Sequence, residues 1–468
     1  MELQEHQVRR ILDVILRLGE VLLASQAGTA DVAASIAAVT AAYGLPDAQV
    51  DVTAGSITVS VPRGVPNAPL TAMWLVGSRS LDYTRLYDAT QLAQRMLDER
   101  PDLAEVEAEL ERLSASGHPY PRWVSTLALG IMASALSLLL GAGGLVVLVA
   151  GITTALIDRV GRVLNRGRVP LLFQQVVAAG LATGVTIGLD AIGRVPAGEG
   201  PSLVVAANIA VLLSGMATVG SMQDAITGYY LTATSRGVEI LLSSVGILIG
   251  VTIAVRVGLA TGVDLSVSPV IPVALVNVAT RVAAGAVGAA AAAVAGYAPL
   301  RAAAVAGAAG AAGTLLFLGA GLAGADPVSS SFVAAIVIGL AGTVGARRLR
   351  IPPLLIAMAG IVPLVPGLSL YRGFVSLLTG QYAAGFDSLV TAAGTALALG
   401  GGVVLGPLLA PSIRRELAHL SLPRAERRTH PHRPRITRRR AGPTLAGIGA
   451  AGPGPDPETR PGGGADPG

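Results

Sequence analysis

The order of apolar and polar positions divides the chain into three parts. In residues 5–25, Val8, Ile11, Leu12, Ile15, Leu18 and Leu22 recur at helical spacing, which predicts an amphipathic helix. A second helix is predicted from Ala30 to Tyr43, with Gly44 as its stop. "QVDVTAGSITVSVP" alternates Val50 and Val52 with Ile57, Val59 and Val61 around Ala54-Gly55-Ser56, the pattern of a hairpin. "TAMWLVG" adds a third strand, and two more helices are predicted around 83–97 and 102–115. Residues 1–121 therefore read as a small soluble α+β domain. It has no phosphate loop and no His cluster at metal-ligand spacing.

From Trp123 the pattern changes. Apolar runs reach about 20 residues, the length that crosses a bilayer. About ten can be drawn, centred near 131, 149, 180, 211, 246, 284, 311, 336, 362 and 397. The stretch 281–325 is rich in Ala and Gly, which lets helices approach closely in lipid. The expected layout is a soluble domain at 1–121, membrane halves at 122–258 and 259–410, and a basic, then Pro/Gly-rich disordered tail at 411–468.

Composition sharpens this picture. The chain of 468 residues is 52% hydrophobic and 13% charged, against about 25% charged in a typical soluble protein. The start "MELQEHQVRR" is charged and carries no secretory signal pattern. Without cysteine there are no disulfides, thiolate metal sites or cysteine nucleophiles. The net charge of +5 comes largely from the tail and does not argue for nucleic acid. All basic residues apart from His are Arg, and their placement sets orientation. With the first domain in the cytoplasm, inside loops hold Arg159, Arg162, Arg166, Arg168, Arg236, Arg301, Arg347, Arg348 and Arg350. Outside loops hold Arg194, Arg256 and Arg372, and the tail, with Arg438-Arg439-Arg440, falls inside. Both termini are expected to be cytoplasmic.

A shift of 152 residues lays the chain on itself without a gap. Gly193 meets Gly345, Pro201 meets Pro353, Gly215 meets Gly367, Thr227-Gly228 meets Thr379-Gly380, Tyr230 meets Tyr382 and Gly250 meets Gly402. Five helices separate the copies, so the second copy is expected upside down. The fold class is then a mainly α membrane protein of about ten transmembrane helices in two inverted five-helix repeats. Such repeats with broken helices are a frequent plan of secondary transporters. Pro366-Gly367 and Gly215 would be the breaks. Backbone freed there is tolerable only inside protein or along a wet cavity, so the polar residues that follow are expected to line a path.

These stretches resemble a known family, the bacterial threonine/serine exporters. "LRLGEVLLASQAGTADV" with "VDVTAGSITVSV" is similar to the family's start, "FQQVVAAGLAT" and "MQDAITGYYLTATSRGVEILL" to its middle, and "PLVPGLSLYRG" to the motif of its second half. The resemblance covers roughly residues 8–410. It implies export of threonine and serine driven by the proton-motive force, from a bacterial plasma membrane. The chain departs from the family at Ser214-Gly215, where many members carry Pro-Gly.

Candidate path residues are Gly215, Gln223, Asp224, Thr227, Gly228, Tyr230, Arg281, Pro366, Gly367, Tyr371, Arg372, Thr379 and Gly380. Asp224, Glu239 and Asp387 are candidates for proton coupling. Each has a plainer reading beside it. Asp224, placed in the cytoplasmic connection after the fourth span, would also suit a solvated loop or a helix N-cap. Glu239 and Asp387 open the fifth and tenth helices, where acids suit the helix dipole. Arg281 lies inside an apolar run, where a charge is a functional hypothesis and can hold a carboxylate bidentately, but it could also snorkel outward. Arg372 suits an interface anchor. The Thr and Tyr hydroxyls could bind a small ligand or sit ordinarily at the membrane surface. The partners expected are a small amino acid, a proton and the bilayer, with no cofactor, metal or nucleic acid; oligomeric state is not indicated.

Two other functions were weighed. A membrane-embedded hydrolase using Asp224 or Ser214 would lack its usual base, because His6, His118, His419, His430 and His432 all fall outside the spans. A channel or sensor regulated by residues 1–121 would lack a ring of like charges along a pore.

Overall fold

The alternation read in residues 49–61 becomes the first half of a three-stranded antiparallel sheet in the computed structural model. Strands β1 (Gln49–Val52), β2 (Ser56–Val61) and β3 (Leu70–Leu75) lie in that order. The register pairs Val52 with Ile57 and Ile57 with Trp74. Ile57, Val59 and Val61 all point to one buried face, as a period of two requires. Against it packs α1 (Glu5–Ala24), whose buried residues include every apolar position of the predicted stripe. α2 (Thr29–Ala42) crosses α1 closely. A Cβ on Gly19 would lie 2.6 Å from Ile36 Cδ1. α3 (Tyr83–Asp98) and α4 (Leu103–Ala115) complete the layer. The structure describes residues 4–64, 67–77, 81–192, 208, 212, 215–260, 277–349 and 353–421.

The chain continues through α5 (Arg122–Leu139), α6 (Gly144–Arg166), α7 (Leu171–Ala191), α8 (Gly215–Ile226) and α9 (Tyr230–Ala260). After these come α10 (Val278–Ala295), α11 (Leu300–Leu322), α12 (Pro327–Leu349), α13 (Pro353–Gly360), α14 (Gly367–Leu378) and α15 (Tyr382–Ser421). Among the described residues, 7 helices are long and apolar enough to cross a membrane: α5, α6, α7, α9, α10, α11 and α15. An eighth span is possible if α13 and α14, bent by 45° at their break, count as one. The apolar stretch of α12 is shorter, and the run expected near 211 lies mostly outside the described residues. This is a multi-pass membrane protein with a small sheet.

Two physical features mark these helices. Large apolar side chains such as Leu148, Ile152, Leu241 and Val257 are more than half exposed, which suits lipid and not water. Glycines line the contacts between helices. A Cβ on Gly130 would lie 2.9 Å from the Gly151 carbonyl, and one on Gly310 would lie 2.8 Å from the Gly285 carbonyl. Backbones this close are what small residues permit in lipid.

The element order recurs. α10, α11 and α12 begin 156 residues after α5, α6 and α7, and α14 and α15 begin 152 residues after α8 and α9. The ungapped shift of 152 therefore holds for the later helices and slips by four for the earlier ones. Positive-φ residues repeat on the same offsets: Gly141 with Tyr297, Arg168 with Gly324, and Gly228 with Gly380. α5 and α10 lie antiparallel. Ser125 near the start of α5 donates to the Ala295 carbonyl at the end of α10 at 2.8 Å, and Gly288 faces Ala135.

The break before Gly367 follows an apolar turn. A short 3-10 turn (Val362–Leu364) and Pro366 separate α13 from α14. Ile361, Val362 and Leu364 are buried among apolar neighbours that include Ile338, Ala309 and Met132. The backbone of this turn is thus sheltered in protein, one of the two ways such a break is tolerated.

Residues up to Arg415 form one compact unit. The N-terminal layer is sewn to the turn between α10 and α11. Tyr83 N–H donates to Gly296 O at 2.8 Å and Thr84 Oγ1 to Tyr297 O at 2.6 Å, while the His118 ring stacks on Tyr297 with centroids 4.0 Å apart. A Cβ on Gly296 would collide with the Tyr83 ring.

Candidate functional site

The second attachment of the N-terminal layer is chemically richer. Asp224 lies in the last turn of α8 and is 1% exposed, so it is not the solvated loop residue that the chain pattern suggested. Its Oδ1 accepts the Thr29 N–H at 3.2 Å, and its Oδ2 lies 2.8 Å from Arg236 Nη1 of α9. Thr29 opens α2, and the preceding N-cap residue, Gly28, has no side chain to cap with. Asp224 supplies that cap from another element, where the helix dipole favours a carboxylate. Gly220 leaves the room for Arg236: a Cβ there would lie 3.1 Å from Nη1. One anion is thus held by a guanidinium from the membrane helices and a backbone N–H from the N-terminal layer.

α8 and α9 are folded back on each other by Thr227-Gly228. Gly228 takes φ +91°, Gly228 N–H donates to Ala225 O at 3.2 Å and Tyr229 N–H to Asp224 O at 2.8 Å. This is the double closure of a helix end in which glycine adopts the left-handed region. Thr227 Oγ1 adds a bond to the Gln223 carbonyl at 2.9 Å.

Beside Asp224 is a cavity of about 360 Å³ between the N-terminal layer and α8, α12, α13 and α15. Its wall is largely apolar, with Leu22, Val32, Leu86 and Val403 among its residues. The polar residues on it are Asp31, Ser35, Thr90, Gln223, Thr227 and Thr343. Asp31 Oδ2 and Gln223 Nε2 both come within 4 Å of the point where a Gly28 Cβ would sit. Asp31 lines the cavity and is an exposed residue, although protein atoms crowd around its carboxyl. That enclosure, and then the neighbouring Asp224 carboxylate, pushes its pKa up. Gln223 Oε1 is buried with no hydrogen-bond partner among the described residues.

Of the predicted site residues, the structure gathers Gln223, Asp224, Thr227 and Gly228 here. The others lie elsewhere. Gly215 begins α8 and Gly367 begins α14, directly after Pro366. Tyr371 is fully buried in an apolar cluster with Val146, Ile247 and Val251. Arg372 is half-buried on α14. Thr379 and Gly380 close α14 in an exposed corner. Tyr230 and Tyr382 are 70% and 71% exposed at the starts of α9 and α15. Glu239 and Asp387 are exposed, so neither has the burial a proton-coupling role would draw on. Arg281 sits in the first turn of α10, not deep within a span as its apolar flanks suggested, because the helix begins only at Val278. Asp31 and Arg236 were missed as site residues. Asp31 reads as an ordinary first-turn acid, and Arg236 as one more inside-loop arginine; only their approach to α8 distinguishes them.

Comparison with known proteins gives the family. The family model "Putative threonine/serine exporter" covers residues 13–258, and "Threonine/Serine exporter, ThrE" covers residues 281–409. The chain belongs to the threonine/serine exporter family. The first match ends at residue 258 in α9 and the second begins at residue 281 in α10. A "Probable threonine/serine exporter" of Mycobacterium tuberculosis is 38% identical over 87% of this chain and 77% of its own length. A "Threonine/serine exporter" of Corynebacterium glutamicum is 33% identical over 89% of this chain and 86% of its own. Both are transporters and not enzymes by their names, and this exporter is accordingly an amino-acid transporter. No solved structure matches the chain.

Proposed function

We propose that this exporter carries threonine and serine out of the cytoplasm in exchange for protons, across a bacterial plasma membrane with both termini inside. The substrates are those named for its relatives. The observation that best supports coupling is the buried Asp224 carboxylate, shared between Arg236 and the Thr29 N–H at the edge of the cavity. A proton that reaches this carboxylate weakens both attachments at once, because each depends on its charge. A proton travelling inward leaves to the cytoplasm here, and the amino acid enters from the same side.

The transport cycle is two inverted five-helix halves, 122–258 and 259–410, rocking about the cavity. The antiparallel α5 and α10 and the repeated positive-φ corners support this plan. The tether at Tyr297 and the capping of α2 by Asp224 are consistent with residues 1–121 covering the cytoplasmic ends of the helices. The excess of Arg on that side and in the tail 411–468 agrees.

The test is a dipeptide-feeding assay. Cells with and without the protein are loaded with a threonine-containing dipeptide, and internal and external threonine are followed with and without a protonophore. Faster efflux that the protonophore abolishes is expected, and Asp224→Asn should lose the dependence on the pH gradient. Efflux unaffected by the protonophore would remove proton antiport, and no efflux of threonine or serine would remove the substrate assignment.

A further inference from the structure

The cavity has properties that a passive seam between two layers does not need. Its volume of about 360 Å³ falls at the lower end of the range of about 300–1,000 Å³ for small-molecule sites. Among the described residues that line it, Asp31 is the one titratable side chain, and no cation is present. Gln223, Thr227, Ser35, Thr90 and Thr343 also line it, and the amide Nε2 of Gln223 lies on the Gly28 side near Asp31. One carboxylate and several hydroxyl-bearing residues on a largely apolar wall are suited to a group with several N–H donors and a positive charge.

We propose that this cavity binds the α-ammonium group of the exported amino acid, anchored on Asp31, so that the N-terminal layer itself carries part of the substrate site. The proposal rests on the reading of the protein as an amino-acid exporter and adds the residue that holds the substrate's charge. Asp224 is held by Arg236 and the Thr29 N–H, whereas Asp31 lines the cavity. Apolar residues such as Leu86 and Val403 leave space for a short side chain with a methyl group. Because enclosure and Asp224 raise the Asp31 pKa, acid should weaken binding earlier than an ordinary aspartate would. The charged groups at this place are Asp31, Asp224 and Arg236, the last turned to Asp224.

The experiment uses full-length protein in lipid nanodiscs and radiolabelled threonine. Asp31→Asn, which keeps the shape, should weaken binding about tenfold or more, as loss of a charged hydrogen-bond partner does. It should also abolish the fall in affinity at low pH. Threoninol, which keeps the ammonium and lacks the carboxylate, should compete; 3-hydroxybutyrate, which lacks the ammonium, should not. Ala30→Leu fills the cavity and leaves Asp31 intact, and should weaken binding as well. Wild-type affinity in both variants, or competition by 3-hydroxybutyrate alone, overturns the proposal. Export in proteoliposomes separates the two levels. Transport by wild type and by Asp31→Asn at equal rates removes Asp31 but leaves the exporter standing. A wild type that neither binds nor moves threonine or serine removes both.

Discussion

The two Thr-Gly corners are nearly the same object built twice. In each, a 12-residue helix ends at a threonine whose Oγ1 bonds back to the carbonyl four residues earlier, at 2.9 Å from Thr227 and 3.0 Å from Thr379. In each, a glycine at positive φ closes the end, and the N–H two positions after the threonine returns at 2.8 Å to Asp224 O or Ser376 O. The side chains then part company. Asp224 corresponds to Ser376, Gly220 to Arg372, and Arg236 to Ser388. The first corner is pressed against α2 and holds a buried ion pair; the second leaves Thr379 and Gly380 exposed. The repeat thus preserves backbone geometry, and docking of the N-terminal layer makes one copy chemically distinct.

The largest way to break this comparison is Arg236→Met. It strands the buried Asp224 charge with one N–H, a change that typically costs about 3–5 kcal/mol. Thermal unfolding of the purified protein should show that loss, and the double variant with Asp224→Asn should recover most of it. Equal stability of wild type and Arg236→Met would mean that the pair is not held as described.

A smaller effect tests the shared backbone. Gly228→Ala and Gly380→Ala each force a Cβ into the left-handed region, at about 1–2 kcal/mol. No neighbouring atom lies within 4 Å of either added carbon, so the two costs should match. A much greater loss at one corner, read by the same unfolding curves, would show that the corners are not equivalent backbones.

The last effect has the opposite sign. The folded state raises the Asp31 pKa, so it holds that proton more tightly than the unfolded chain does. The resulting stabilisation is full below the ordinary carboxylate range and is lost as pH rises through the raised value. Asp31→Asn should therefore unfold at a higher temperature than wild type at neutral pH, and the difference should vanish in acid. A variant less stable than wild type at pH 7 would contradict the strained carboxylate.

Much of the fold was legible in the pattern. The α1 stripe, the period-two strands and the long apolar runs follow from spacing alone, because burying one face of a helix or strand needs that spacing whatever the partner. The Thr-Gly corners were also visible, though as candidate ligand contacts. Their first role is to end a helix. Arg281 misled because the start of α10 depends on where the chain enters the bundle, and apolar flanks do not record it. The apolar packing just before Pro366-Gly367 was not legible, because a break looks the same in sequence whether its preceding turn meets water or, as here, Ile338 and Met132.

The sequence by itself determined the soluble-then-membrane order, the recurrence of the helices and the family, since these rest on local periodicity and on extended similarity. Only the tertiary structure decided which charges matter. Asp31 lies in the first stretch of family resemblance, and Asp224 and Arg236 lie in a later one, about two hundred positions away. They meet because α2 sets its N-terminus on the end of α8, and that docking turns three ordinary charged residues into an ion pair, a cap and a carboxylate at a cavity.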